Sequence, residues 1–591
     1  KNSESKDVME GLDSKVKKLM DKYLSEEDTK KDLYDKSIVA KKYVDILSPK
    51  RYTDRNLWLN VGYILKTIFR DDEKIGYDIF LNFSLKWEKY PPEVIKKDTK
   101  IAWDSLTFEN DDIVHIPYTM NHLKHLVFKD NSKMFKEIDD DIIDNCLRSL
   151  NSHDVTLSHL LYTLYNDEFV CVDPKNDIWY YFNGTRWVVD HKCCKLREKA
   201  SLKVIDLVQG YIKKNYKEFS EEKFKMYMRI LKTLGTTKRL VGVDIFFTNK
   251  NFVDYLDNNR DLLAFENGVI DLKTMKFRKL KSEDYVTMST NYSYMPRIQD
   301  PVTEEHVRYN KLFDKQRKEI MDIFETIFID EKEREFNMIV LATCLDGYCN
   351  DENFYVWSGK RASGGNGKST INDFMLKCLG DYATNIPSKL LTSEMPSAGN
   401  ANPAVMALKN KRAVFCQEPQ SNAKIQVDIV KSLVSGDLVS SRQLYKEQES
   451  FKPHAKIFMV CNRVPQLSDH DGGIARRLKI SEFKSVFVDN EKIAQVQREK
   501  GFNAFIKDAT LKDKADAYKN AFMSILLEYY EKYKKNGIVL PDSVKEATAT
   551  FEKNNNIIET FIEEKLIFTK NQEDLLTKTN FKNIYQSTPS L

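Results

Sequence analysis

The sequence predicts a multidomain protein with an α/β core built on a parallel sheet, flanked by helical and α+β modules. Three observations predict it. Short apolar runs alternate with amphipathic stretches from Phe354 to about Phe483, the pattern of parallel strands joined by crossover helices. One of these runs, Phe354-Tyr-Val-Trp357, passes through Gly364-Gly365-Asn366-Gly367 into Lys368-Ser369-Thr370 and a helix from Ser369 to Leu379. Outside the core the texture changes, to aromatics at helical spacing before it and lysine-rich helical sequence after it.

Composition bounds the class. At 591 residues the chain has room for about four domains. Hydrophobic residues make up 41% and charged residues 31%, the balance of a globular protein rather than a disordered or membrane-embedded one. No apolar run approaches a membrane span, and the first residues are charged, unlike a signal peptide. The net charge is only +4, so contact with nucleic acid must come from local patches. Nine scattered cysteines suit a reducing compartment. Cys193-Cys194 follow His191 without a second ligand pair, so ordinary packing is expected there rather than zinc. Because the chain begins with Lys1, a piece of a longer protein is expected.

In chain order, residues 1–40 are a charge-dense segment, read as a solvated helix or tail. Residues 41–110 form a helical module whose aromatics (Trp58, Tyr63, Phe80, Phe83, Trp87, Trp103) recur at core spacing, with Pro91-Pro92 between two helices. Residues 111–150 read as a polar connector with acidic stretches. Residues 151–302 read as an α+β domain. Its hairpin is signalled by Asn183-Gly184 between Trp179–Phe182 and Arg186–Val189. Helices follow from Lys195 to Leu234, where Gly235 can end the last, and a second strand–turn–strand runs from Phe265 to Phe277. The core domain spans 303–487, helical to 347 and then alternating. Residues 488–591 read as a helical or winged C-terminal domain.

The glycine loop carries the clearest chemistry. Gly364, Gly365 and Gly367 lack a Cβ, so backbone N–H groups can close around phosphate oxygens at a helix N-terminus. Lys368 can reach the β- and γ-phosphates of ATP, and the Ser369 hydroxyl can ligate Mg²⁺. Ala362 stands where the Walker A pattern has glycine, so the loop is longer or differently bent. Glu418, closing the run Arg412–Gln417, is the candidate acid for Mg²⁺ or the attacking water. Asn462, closing Lys456–Cys461, can orient that water or be a strand-end turn residue. Arg476 and Arg477 follow a glycine turn. They can stabilise phosphoryl charge across a subunit boundary or form a solvated basic pair. The stretch Ser435 to His454 reads as a hairpin with its turn at Lys446–Ser450. Arg442, Lys446, Lys452 and His454 there are candidates for single-stranded DNA, against which two turn glutamates count.

Taken in order, these residues resemble a superfamily III helicase of the AAA+ class. More closely, the chain resembles the helicase half of the poxvirus-type helicase–primases of nucleocytoplasmic large DNA viruses. Three blocks carry the likeness: Gly364 to Thr370 as Walker A; Ser435-Gly-Asp through Asn462-Arg-Val-Pro to Gly473-Ile-Ala-Arg-Arg; and Asn267-Gly-Val-Ile-Asp-Leu with the Arg186-Trp187 hairpin. The module at 52–106 resembles a primase C-terminal domain. The resemblance implies a hexameric ring around DNA, with ATP between subunits. In it Lys368, Ser369 and Thr370 bind phosphate and Mg²⁺, Glu418 activates water, Asn462 senses the γ-phosphate and Arg476 or Arg477 is the finger. It also implies that primase chemistry, if the full protein has it, lies before Lys1, and it implies viral polymerase factors as partners and a host-cytoplasmic replication factory or the nucleus as location. A ring scaffold that recruits primase and polymerase without unwinding, and a packaging or small-substrate P-loop enzyme such as a kinase, are the competing classes.

Overall fold

A computed structural model of the chain describes residues 26–70, 72–106, 120–151, 154–234, 243–362, 364–393, 402–420, 422–442, 448–469, 472–555, 566, 569 and 576–587. The chain divides into two compact units, one of residues 1–258 with 281–287, the other of 259–280 with 288–591. Among the described residues no helix is long and apolar enough to cross a membrane.

The first unit opens with helices Glu26–Asp45, Lys50–Thr53, Arg55–Ile68, Glu73–Ser84 and Pro92–Ser105. Asp54 caps the third by accepting from the N–H groups of Asn56 and Leu57. Four of the six expected aromatics, Trp58, Phe80, Phe83 and Trp103, are buried together, with Trp58 stacked on Phe80 at 5.0 Å. Gly62 makes room for that stack, since a Cβ there would sit 2.7 Å from the Phe80 ring. Trp87 packs instead on Tyr90, edge to face. The first helix runs through residue 40 into the expected helical module, and Ala40, Tyr43 and Val44 join its core.

Residues 120–149 differ from the polar connector expected of them. They form helices Met120–Asp130 and Ser132–Ser149. Leu123 and Val127 are buried, and Phe135, Ile138 and Ile142 pack against the same core. Of the acidic residues that suggested a linker, Asp140 and Asp141 are exposed, whereas Asp139 turns inward and accepts from the buried Tyr43 hydroxyl; Asp111-Asp112 lie outside the described residues. A second core gathers around helix Asp154–Tyr165 and the antiparallel sheet β1 (Phe169–Asp173), β2 (Ile178–Phe182) and β3 (Trp187–His191). Its β2–β3 turn is closed by Asn183, whose Oδ1 accepts from the N–H groups of Thr185 and Arg186, while Gly184 takes φ 95°. Helices from Cys194 to Leu234, interrupted by a π turn at Ala200–Val204, complete it. Gly235 lies outside the described residues.

The second unit begins with the meander β4 (Leu262–Phe265), β5 (Gly268–Asp271) and β6 (Lys276–Arg278). These strands were expected within a separate domain at 151–302, yet Leu263, Phe265, Ile270 and Leu272 are buried in one core with Phe324 and Phe522. After helices Glu304–Ile327 and Glu331–Thr343 come β7 (Phe354–Gly359), β8 (Ala383–Pro387), β9 (Ala413–Gln417) and β10 (Lys424–Ile425). The hairpin β11 (Val439–Arg442) and β12 (Gln448–Phe451) follows, then β13 (Lys456–Val460), β14 (Gln466–Leu467), β15 (Leu478–Phe483), β16 (Ser485–Val488) and β17 (Asn503–Ile506). Five of them form a wholly parallel sheet in the order β15-β7-β13-β9-β8. Both its faces are covered, which is why its strands read as unbroken apolar runs. Tyr355, Trp357, Phe415 and Phe458 enter the core on one face, and their neighbours Phe354, Val356, Val414 and Ile457 that on the other.

Beyond Phe487, where a helical or winged domain is expected, a strand stands among the helices: β17 pairs in parallel with β16. Helix Lys519–Asn536 buries Phe522, Met523 and Leu526 against the same face of the sheet as helix Lys368–Leu379, so it shares the core of the α/β unit.

Candidate nucleotide site

The loop between β7 and helix Lys368–Leu379 is held in a conformation that glycine alone adopts cheaply. Gly365 and Gly367 take φ 66° and 85°, and Gly367 caps the helix. A Cβ on Gly367 would come within 2.7 Å of the Ile327 side chain, and one on Gly365 within 3.1 Å of the Phe487 carbonyl. The loop is also fastened to β16. Phe487 N–H donates to the Gly365 carbonyl at 2.7 Å, and the buried Asn366 amide donates to the Ser485 carbonyl at 2.8 Å. Arg361 donates to the Lys500 carbonyl at 3.0 Å and lies over the Phe502 ring. Neither Ile327 nor Phe487 had any signal in the sequence, because each earns its place only by lying against a glycine far from it in the chain.

Lys368 is 5% exposed. Its ammonium donates to Asn366 Oδ1 at 2.8 Å and more distantly to Asn462 Oδ1 at 3.4 Å. Among the described residues no carboxylate lies within ion-pair reach. Burial therefore pushes its pKa down to about 8, with Cys461 and Glu418 opposing weakly. A buried cation satisfied only by neutral oxygens favours an anionic ligand. Ser369 is exposed and Thr370 partly so on the first turn of the same helix. Gly364 lies beside Asn462, whose amide atoms would be 3.7 and 3.8 Å from a Cβ there.

Glu418 follows β9 and Asn462 follows β13, so both stand at the carboxyl edge of the sheet with the glycine loop. Because β13 lies between β7 and β9, Asn462 falls between Lys368 and Glu418. The Glu418 side chain is exposed, and its backbone takes φ 44°, fixed by its N–H donating to the Val460 carbonyl at 3.0 Å. A non-glycine residue in that region costs about 1–3 kcal/mol, a strain that recurs at functional sites.

The two arginines lie at the opposite end of the sheet. Helix Gly472–Arg477 leads into β15, and Leu478 pairs with Phe354, the first residue of β7. At about 3.3 Å per residue, the six-residue strand separates them from the loop by roughly 17–20 Å. Arg477, 9% exposed, is held within its own chain: it donates to the Gly473 carbonyl at 2.9 Å, to Ser435 Oγ at 2.9 Å and to Glu352. Arg476 is the outward one, its side chain 69% exposed beside Glu352 at 3.6 Å.

The predicted hairpin forms, but with a shifted turn. Val439 pairs with Phe451 and Arg442 with Gln448, so Gln448–Ser450, expected in the turn, belong to the second strand. Lys446 lies outside the described residues. Glu449, one of the glutamates that weighed against DNA, is paired with Lys409 at 2.7 Å. Lys452 is exposed just beyond β12. His454 is only half-exposed, and burial, aided by Arg260 and Lys452, pushes its pKa down to about 4, so it offers no charge to a phosphate at neutral pH.

Comparison with known proteins adds relatives. Residues 158–329 match the D5 N terminal like family, residues 40–123 the Primase C terminal 2 (PriCT-2) family, and residues 361–477 a family of unknown function (DUF5906). The chain is 30% identical over 90% of its length to "Putative helicase L207/L206" of Acanthamoeba polyphaga mimivirus, covering 54% of that protein. It is 26% identical over 93% of its length to "Putative helicase 121R" of Invertebrate iridescent virus 3, covering 62% of it. It is 22% identical over 92% of its length to "Putative primase C962R" of African swine fever virus, covering 58% of it. The chain thus spans about half to three fifths of the length of these relatives. Among solved structures the NrS-1 C-terminal region is similar at 15% identity over 46% of this chain and 61% of that one, with a TM-score of 0.28, too low to bear on the fold.

Proposed function

We propose, for a chain homologous over nearly its whole length to proteins named as helicases and primases of large DNA viruses, that the second unit is an ATP-driven motor of the superfamily III AAA+ class. In this reading it is the helicase portion of a viral helicase–primase, working as a hexameric ring on single-stranded or forked DNA in the host cytoplasm. One observation carries it. The glycine loop, Asn462 and Glu418 stand on three adjacent strands at the carboxyl edge, while Arg476 and Arg477 enter at the amino edge. That division suits a nucleotide held by one subunit and completed by an arginine of the next.

The chemistry follows from the side chains. Triphosphate oxygens replace the amide partners of Lys368, and the N–H groups of the loop and first helical turn donate to the remaining phosphate oxygens. Glu418 takes a proton from the water that attacks the γ-phosphorus as the bond to the β-phosphate oxygen breaks. Asn462 orients that water without adding charge. Ser369 and Glu418 would hold Mg²⁺, which neutralises charge on the β- and γ-oxygens when bound. Arg476, being the outward arginine, is the finger for the neighbouring site, and Arg477 holds its helix in place. DNA would run past the β11–β12 hairpin, where Arg442 and Lys446 are the candidates by sequence, and past the exposed Lys452, His454 serving as a neutral neighbour.

ATP hydrolysis is the test, measured with and without single-stranded DNA alongside particle mass and unwinding of a forked duplex. DNA-stimulated turnover by a hexamer, lost on Lys368→Ala together with unwinding, is the expected result. Rings that hydrolyse ATP without separating strands would favour the scaffold. A monomer indifferent to DNA would sink both.

A further inference from the structure

The first unit holds a cavity of about 590 Å³ that the ATP chemistry does not use. It runs from the helical module (Tyr43, Ile68, Met120) to the sheet and helices that follow it (Tyr162, Phe246, Trp187). This is the size of a small-molecule site rather than a packing defect. Its lining falls into three chemical kinds. Partly exposed rings of Tyr162, Phe246 and His159 form one cluster, with Phe246 6.1 Å from Tyr162 and 5.7 Å from His159. Asn145, Asn166 and Asn249 supply amides. Asp167 and Glu283 supply carboxylates.

The carboxylates decide the ligand. The other charged groups around them are spoken for: Lys124 faces Asp139 at 3.7 Å, Tyr43 donates to Asp139 at 3.0 Å, and Lys42 is paired with Asp141 at 2.6 Å. Among the described residues neither Asp167 nor Glu283 forms an ion pair; Asp167, exposed toward the cavity, accepts from its own backbone N–H. The surrounding protein raises the Asp167 pKa and Glu283 adds to the rise, while Lys124, that N–H and Lys199 offset part of it. Both also line a second cavity of about 370 Å³ that shares Lys124, Asp139 and Thr163 with the first. Acceptor-only groups at the meeting point of two cavities call for N–H donors, and flat aromatic walls call for a planar ring. A bare phosphate fits neither requirement.

We propose that this cavity binds a nucleobase, as a free nucleoside or a single unstacked nucleotide, with the ring against Tyr162 and Phe246 and its donor edge on Asp167 and Glu283. Guanine, with adjacent N1–H and amino donors, fits that edge; uracil would turn a carbonyl oxygen toward a carboxylate.

The test uses the full chain carrying Lys368→Ala, so that the glycine loop contributes nothing. Guanosine, adenosine, uridine, guanosine 5′-monophosphate and N-acetyl-arginine amide are titrated calorimetrically. Guanosine should bind about tenfold more tightly than uridine, a gap typical of one good base-edge contact. Adding Asp167→Asn, which keeps side-chain size, should shrink the preference to under about threefold. Phe246→Ala should weaken every nucleoside alike. Melting temperatures of the three variants confirm that each is folded. Equal affinities for guanosine and uridine, or a preference untouched by Asp167→Asn, would overturn the proposal. So would binding of the arginine amide but of no nucleoside, which would assign the cavity to a basic peptide.

Discussion

Lys368 sits in its resting site with amide oxygens for company, and the consequence is a pH signature. In the unliganded protein its pKa lies near 8, below that of a lysine in an unfolded chain. The unfolded state therefore binds more protons between about pH 8 and 10, and stability rises with pH across that window. The burial penalty is fully present below pH 8. Lys368→Met should accordingly raise the melting temperature at pH 7, by an amount that fades toward pH 10. Triphosphate reverses the sign, because an anion beside the ammonium raises its pKa. Binding ATP at pH 9 should take up close to one proton, seen as a calorimetric enthalpy that varies with buffer, and affinity should fall as pH rises above 8. No proton uptake at pH 9 would mean that the lysine is charged throughout.

At the scale of the element, the short helix Gly472–Arg477 shows why two adjacent arginines are not equivalent. Arg477 is tied to Ser435 and Glu352 and to its own helix start, whereas Arg476 faces outward. Arg477→Ala leaves Glu352 with only the exposed Arg476 guanidinium, 3.6 Å away. Since that carboxylate is 41% exposed, the expected cost is about 1–2 kcal/mol of stability, less than for a fully buried pair. Arg476→Ala should leave the melting temperature unchanged and abolish hydrolysis. If the proposed ring forms, mixing it with Lys368→Ala should restore part of the activity, because mixed rings would contain interfaces with one intact loop and one intact finger. Full activity of Arg476→Ala alone would remove it from the finger role. The pair was legible in the sequence as a basic doublet after a glycine turn. Which member is outward was not, since Glu352 and Ser435 lie 125 and 42 residues away.

For the whole molecule, the informative difference concerns where the units end. The strands at 262–278 and the helix at 519–536 read as parts of flanking domains, yet both bury their apolar faces in the core of the parallel sheet. Phe522, stacked on Phe324 at 5.7 Å, stands for this closure. Phe522→Ala should cost about 3–5 kcal/mol and lower ATP binding and unfolding temperature together, measured by denaturant unfolding in the presence and absence of nucleotide. A C-terminal domain detached from the parallel-sheet core would instead lose its own transition and leave nucleotide binding intact.

By itself the sequence determined the candidate side chains and the alternation of the core. Glycines before Gly-Lys-Ser, apolar strands closing in Glu418 and Asn462, and the Asn183-Gly184 hairpin are all local signals, set by φ/ψ preference and by the periods of strand and helix. Tertiary structure alone decided that β13 lies between β7 and β9, that the arginines stand at the other end of the sheet, and that 120–149 is helical core rather than linker. It also brought Phe487 and Ile327 onto the glycine loop and Asp167 toward Glu283. Those facts depend on which distant apolar faces meet and in what register, a choice made by the sum of long-range burial and not written in any window of residues.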